Sequence, residues 1–178
     1  MENPFLVGTK VYLRPLVEAD AVVCWHWVND PNVRRTLALR DGPNTEDLTR
    51  AWIRSLDFRR AMEFAVVTRD DDRHVGNCGL TGVSHVDRHA MLGIVIGRKD
   101  HWGRGLGTEA VRLVCRYAFE GLNLHKVCLS CYAINDRGLR LYARVGFKVE
   151  GRRREQVFID GSWVDELVLG LLRDELRP

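Results

Sequence analysis

Residues 92–121 constrain this chain more than any other stretch. An apolar run, Leu92-Gly93-Ile94-Val95-Ile96, leads into a loop over 97–107 with glycines at 97, 103, 105 and 107. A segment over 108–120 follows and reads as a helix stopped by Gly121. Its charged residues Glu109, Arg112, Arg116 and Glu120 form one narrow stripe, and every other face is apolar. Such a helix is packed on most of its circumference. A buried strand must therefore hand over to a buried helix through a loop rich in glycine. Glycines at 103, 105 and 107 remove side chains where a ligand approaches backbone. The N–H groups there run into a helix N-terminus, an arrangement that binds phosphate oxygens, and Arg104 adds a fixed positive charge. A tight turn that binds nothing is the equal alternative from the glycines alone. No Gly-Lys-Ser or Gly-Lys-Thr occurs, so the loop is not of Walker type, and Gly103-x-Gly105-x-Gly107 lacks the Rossmann spacing.

The remaining patterns alternate strand and helix. Strands are expected over 7–14, 63–68, 75–86, 91–96 and 126–132, with two more around 147–158 and 162–171 joined by Asp160-Gly161, a strong hairpin turn. Helices are expected over 18–28, with Ala21, Val22, Trp25 and Val28 as an apolar stripe, over 45–56 with Thr45 as cap, and over 136–144. Breaks fall at Asn29-Asp30-Pro31-Asn32 and Asp41-Gly42-Pro43-Asn44. Nothing repeats and no linker interrupts 1–178, so one mixed α/β (α+β) domain is expected over the whole chain.

Composition narrows the partners. A net charge of +3 is too small to call for nucleic acid, and no apolar run is long enough for a secretory core or a membrane span. The five cysteines, an odd number without a secretory signal, suggest reduced thiols and a cytoplasmic protein. Cys128 and Cys131 have metal-like spacing but no second pair, and on a strand they face opposite sides. No metal is expected.

Trp102-Gly103-Arg104-Gly105-Leu106-Gly107 resembles the coenzyme A pyrophosphate loop of the GNAT acetyltransferases, written Arg/Gln-x-x-Gly-x-Gly/Ala, with Trp102 in the first position. A tryptophan there, followed by Thr108-Glu109-Ala110, is similar to the subgroup of ribosomal-protein N-terminal (alanine/serine) acetyltransferases. Asn135 and Leu141-Tyr142-Ala143-Arg144-Val145-Gly146-Phe147 resemble the family's later Asn, Tyr and Gly-Phe signature. Leu13-Arg14-Pro15-Leu16, Asn29-Asp30-Pro31 and Asp165-Glu166-Leu167 are similar to the same subgroup. Asn123-Leu124-His125-Lys126 and Gly146-Phe147-x-Val149-Glu150-Gly151 resemble spermidine acetyltransferases.

The resemblance implies a mixed, mostly antiparallel sheet of about seven strands flanked by helices. Two central strands, near Ile96 and Val127, splay apart. It implies acetyl-CoA as cosubstrate, held by Trp102, Gly103, Arg104, Gly105, Leu106, Gly107 and Thr108, with pantetheine against the backbone of Ile94, Val95 and Ile96. Asn135 would contact the pantetheine arm, although capping its helix explains it equally well. Tyr142 would serve the departing thiolate by donating a strong hydrogen bond, a core tyrosine being the alternative. The acceptor would be an amine, either a protein N-terminus or a small molecule, attacking the thioester directly; a coenzyme A-binding sensor without turnover is the competing reading. A homodimer remains open.

In one respect the chain departs from the family pattern. Many relatives place a Glu where this chain has Met91, which removes a familiar general base and leaves Glu63, His85 and Asp87 as substitutes by neighbourhood. Arg152-Arg153-Arg154 reads as a solvated strand edge or as a surface for an acidic acceptor. Trp25 and Trp27 are candidates for the acceptor pocket. Acceptor-side carboxylates are few: Asp30, Asp41, Glu46, Asp47 and Asp57.

Overall fold

The computed structural model describes residues 1, 3–38 and 42–178. Asp41, read above as part of a break and as a carboxylate, lies outside the described residues. In chain order the elements are β1 (Leu6–Val7), β2 (Val11–Pro15), α1 (Ala21–Asn29), α2 (Pro31–Arg34), α3 (Glu46–Arg54), β3 (Ala61–Thr68), β4 (His74–Ser84), β5 (His89–Ile96), α4 (Leu106–Glu120), β6 (Lys126–Tyr132), α5 (Asp136–Val145), β7 (Lys148–Ile159) and β8 (Ser162–Leu172). They form one eight-stranded sheet ordered β1-β2-β3-β4-β5-β6-β8-β7. Every neighbouring pair is antiparallel except β5 and β6.

The expected first strand is in fact a hairpin. It breaks at Gly8-Thr9-Lys10, and this supplies the eighth strand. Glu109 explains the turn. Its carboxylate accepts the backbone N–H groups of Thr9 (2.6 Å), Lys10 (2.8 Å) and Val11 (3.1 Å). Gly8 permits that approach, since a Cβ there would lie 2.8 Å from the carboxylate. Glu109, on the charged stripe of α4, is therefore the anchor of this turn. Burial opposes its charge, but the backbone donors outweigh it and hold its pKa below the usual 4.5.

The two faces of the sheet are covered differently. On one, Leu13, Phe64, Cys78, Leu80, Leu92, Val127 and Leu129 pack with α4 and α5 in the main core. On the other, Tyr12, Ala65 and Val67 meet α1 and α3. α1 buries Ala21, Cys24 and Trp27, while Val22 is 47% exposed. The stripe through Val22 and Trp25 is thus displaced by one position, because AVVCWHWVN is apolar almost all round and its periodicity marks no single face. Arg14 fixes where this helix starts: it donates two 2.8 Å bonds to Asp20, which also faces His74 at 3.2 Å. The hairpin at Asp160-Gly161 forms as expected, with φ of 49° and 80°. No described helix is long and apolar enough to cross a membrane.

Candidate active site

Between β5 and β6 the sheet opens. Only His89, Ala90 and Met91 pair with Lys126, Val127 and Cys128. Above that level β6 continues against β8, and Leu92–Ile96 keeps β4 but has no strand on its other side among the described residues. Val127 therefore lies inside the paired part, and the splay begins beyond Cys128. The chain leaves β5 through the glycine loop and returns to β6 through α4, so the loop stands over the open end of the gap.

The loop that caps this gap uses each glycine differently. Gly103 and Gly105 sit at φ of 81° and 83°, a left-handed region that side chains resist. Gly105 is the N-cap of α4, which begins at Leu106, two residues earlier than expected. No side chain caps this end, so the first-turn N–H groups of Leu106, Gly107 and Thr108 have no partner within the helix. Gly107 has another reason: a Cβ there would meet Leu141 at 3.1 Å and Ile96 at 3.4 Å, so it lets α4, α5 and β5 close together. Trp102 anchors the loop by donating its indole N–H to the Ile96 carbonyl at 2.7 Å. The Arg137 guanidinium of α5 stands 3.8 Å from the Trp102 ring centroid, within cation–π range.

Sequence patterns did not single out Lys10 or Arg137. Lys10 Nζ donates to the Arg104 carbonyl at 3.0 Å and lines the same recess as Arg69, His101 and Arg104. Lys10, Arg104 and Arg137 surround the open helix end with positive charge. Open N–H donors, strain-tolerant glycines and cations together fit a pyrophosphate.

Tyr142 lies under the gap on the α4/α5 face. It is 7% exposed and stacks edge-on with Phe147. Burial pushes its phenol well above 10, and the Cys131 and Cys78 thiols add to the effect. Those thiols belong to β6 and β4, so the ring stands where the two sides of the gap face each other. Its hydroxyl has no hydrogen-bond partner among the described residues. Asn135 caps α5 by accepting the Gly138 N–H at 3.0 Å. All five cysteines are free, and burial raises the Cys131 thiol to about 11. Among the described residues, no three His, Cys, Asp or Glu side chains group as metal ligands would.

On the α1/α3 face, Glu63, Gly79 and Gly93 form one cross-strand row, with exposed Thr81, Met91 and Ser130 nearby. Glu63 thus starts a row that ends on the open edge of β5, two strands away. His85 and Asp87 lie away from it: they occupy the β4–β5 turn, beyond the paired end of β5, where Asp87 accepts the Ser84 hydroxyl at 3.1 Å. In the basic run Arg152 pairs with Asp165 and Arg153 with Glu166 at 2.8 Å, and all three arginines lie exposed on the edge strand β7. Trp27 packs in the core and against Gly97, while Trp25 stacks on His26.

Residues 10–148 match the model of the acetyltransferase (GNAT) domain. The chain is 37% identical to the probable N-acetyltransferase YjcK of Bacillus subtilis, over 96% of this chain and 98% of that one. It is 31% identical to the [ribosomal protein uS5]-alanine N-acetyltransferase of Escherichia coli, over 66% and 61%. A crystal structure of spermidine N-acetyltransferase from Vibrio cholerae in complex with CoA and spermine superposes with a TM-score of 0.85, at 23% identity, over 94% of this chain and 98% of that one. The chain belongs to the GNAT acetyltransferase family. Its activity is transfer of an acetyl group from acetyl-CoA to an amine.

Proposed function

We propose that the acceptor is a primary amine bearing one positive charge, a peptide N-terminus or a small amine, rather than a polyamine. The observation that carries this is that most of the described carboxylates around the acceptor side are already paired with cations. A polyamine needs several free carboxylates, one for each ammonium. Here Glu18 is held by Arg54, Asp30 by Lys99, Glu46 by Arg50 and Asp160 by Arg35, and Asp165 and Glu166 are held by the arginines of β7. Among the described acidic side chains of this side, Asp47, Asp57 and Glu63 form no salt bridge, and Asp57 accepts the Arg59 backbone N–H at 3.0 Å.

In this reading Trp102, Gly103, Arg104, Gly105, Leu106, Gly107 and Thr108 hold the pyrophosphate. Pantetheine lies along the open edge of β5, against Ile94, Val95 and Ile96, as an added strand would. The Ile96 carbonyl is shared with Trp102 and Val95 is in phase with the ladder bonds to β4, which leaves Ile94 the freer partner. Asn135 borders the same gap. Tyr142 donates to the sulfur as the C–S bond breaks. Its raised pKa keeps the hydroxyl protonated and widens the gap to a thiol near 8.5, which supports a strong hydrogen bond with late proton transfer. The free thiols suit a reducing cytoplasm. Met91 is the sole support for a sensor without turnover. An acetyl-transfer assay with N-terminal peptides, monoamines and spermidine at equal concentration tests the acceptor class. Higher kcat/KM for peptides or monoamines is expected, and a preference for spermidine would overturn the reading.

A further inference from the structure

We propose that Glu63 is the general base of the transfer, taking a proton from the acceptor ammonium on the face of the sheet opposite Tyr142. The proposal rests on the acetyl-transfer reading above and assigns a proton acceptor that Met91 does not provide.

Register carries the argument. Glu63 on β3 pairs with Gly79 on β4, and Gly79 pairs with Gly93 on β5. Because Gly79 has no side chain, the Glu63 carboxylate lies flat across it: a Cβ at 79 would come within 2.6 Å of Oε2. That space is not empty backbone clearance, since Glu63 fills it. One strand further, Gly93 is exposed and a Cβ there would meet nothing within 4 Å. The row Glu63-Gly79-Gly93 is therefore a trough that starts at a carboxylate and ends on the open edge of β5. Neighbouring strands lie about 4.8 Å apart, so the carboxylate is roughly one strand spacing from that edge.

The opposite face completes the geometry. Cys78, next to Gly79, pairs with Ile94, next to Gly93. Cys78 points into the α4/α5 core, where its thiol acts on Tyr142; Glu63 acts on the same thiol from the other side. Base and acid thus flank one level of the sheet, on opposite faces, beside the place where β5 and β6 part. An amine approaching from the α1/α3 side meets the carboxylate first and the thioester next.

The surroundings of Glu63 suit the task. It has no hydrogen bond and no ion pair among the described residues. No charged group of β2, β4, β5, α1 or α3 stabilises its ionised form, and Cys78 is the titratable group that feels it. Burial alone raises its pKa to about 7, near the range in which a base is both free of its proton and able to hold one. A structural carboxylate would be expected to have a cation or backbone donors, as Glu109 and Asp20 do.

The protons balance. The ammonium arrives with three. Glu63 takes one and passes it to solvent. The freed nitrogen attacks the thioester carbon, the C–N bond forms and the C–S bond breaks. The sulfur receives a proton from Tyr142, and the second nitrogen proton, lost as the amide forms, restores the phenol through solvent. The amide keeps the third. One proton is released per turnover, with CoA thiol and amide as products.

Glu63→Gln keeps the shape and removes the base. With an amine accepted by the wild type, kcat/KM at pH 7 should fall about 10²-fold or more, while acetyl-CoA affinity by calorimetry changes less than twofold and the melting temperature does not fall. The wild-type profile should rise through about pH 7. The variant should lose that limb and recover towards wild type as the pH approaches the pKa of the amine itself. A variant with an unchanged profile, or one with raised KM, normal kcat and no recovery at high pH, refutes the base and makes Glu63 an anchor or a bystander. Glu63→Asp, one methylene shorter, withdraws the carboxylate from Gly79 and should fall between the two. A wild type that acetylates no amine would sink the acetyl-transfer reading instead.

Discussion

Glu109→Ala should loosen the fold and the cosubstrate loop together. The carboxylate receives three backbone N–H groups, from Thr9, Lys10 and Val11. A hydrogen bond to a charged group contributes about 1.5–3 kcal/mol when sheltered and less where water replaces it. The bonds to Thr9 and Lys10 are exposed and the one to Val11 is partly buried. About 0.5–1 kcal/mol for each of the first two and about 1.5 kcal/mol for the third gives ~3 kcal/mol. In a domain of this size each kcal/mol moves the melting point by about 2–4 °C, so the variant should melt ~6–12 °C lower. The pH dependence has a definite sign. The folded pKa of Glu109 lies below 4.5, so its stabilisation is present above 4.5 and is lost as pH falls through the lower folded value. The difference between wild type and variant should shrink accordingly as the pH falls below 4.5. Lys10 reaches the Arg104 carbonyl from the same turn, so acetyl-CoA affinity should drop several-fold too. Calorimetric melts at pH 7 and pH 4 with a binding titration decide the matter. A variant within 1 °C of wild type at pH 7 would refute the clamp.

Tyr142→Phe deletes only the hydroxyl. If it serves the sulfur, kcat should fall roughly 10²-fold with acetyl-CoA binding nearly unchanged; steady-state kinetics giving less than a threefold loss, with chemistry rate-limiting, would end that role. Gly105→Val forces a branched side chain into φ of 83° at the helix N-cap, so acetyl-CoA affinity should weaken more than tenfold. Calorimetry on the folded variant checks it, and an unchanged dissociation constant would take the loop out of the site.

What the sequence makes legible here is what is encoded locally. Asp160-Gly161 announces its hairpin because only certain residues tolerate both left-handed angles. The glycines at 103 and 105 and the helix after them are equally local. The turn at Gly8-Thr9-Lys10 was not legible, because its cause is a carboxylate 100 positions away on α4. The register that lays Glu63 over Gly79 is of the same non-local kind, and neighbourhood alone ranked Glu63 with His85 and Asp87, which the fold sends to the far end of β5. Lys10 and Arg137 escaped notice because an isolated cation carries no pattern until folding brings it beside the loop.

The three-residue join between β5 and β6 also bears on the order of events. Glu63 rides on the β1–β5 part of the sheet, whereas Tyr142 follows β6 on α5. Strand pairing joins the two parts only at the base, and above it they are tied through the core they share under α4 and α5. A chain seated along the free edge of β5 would lie between the carboxylate of Glu63 on one face and the phenol of Tyr142 on the other. An amine that enters the empty gap finds no thioester. Acetyl-CoA loading before the acceptor is the expected order, and product-inhibition kinetics check it.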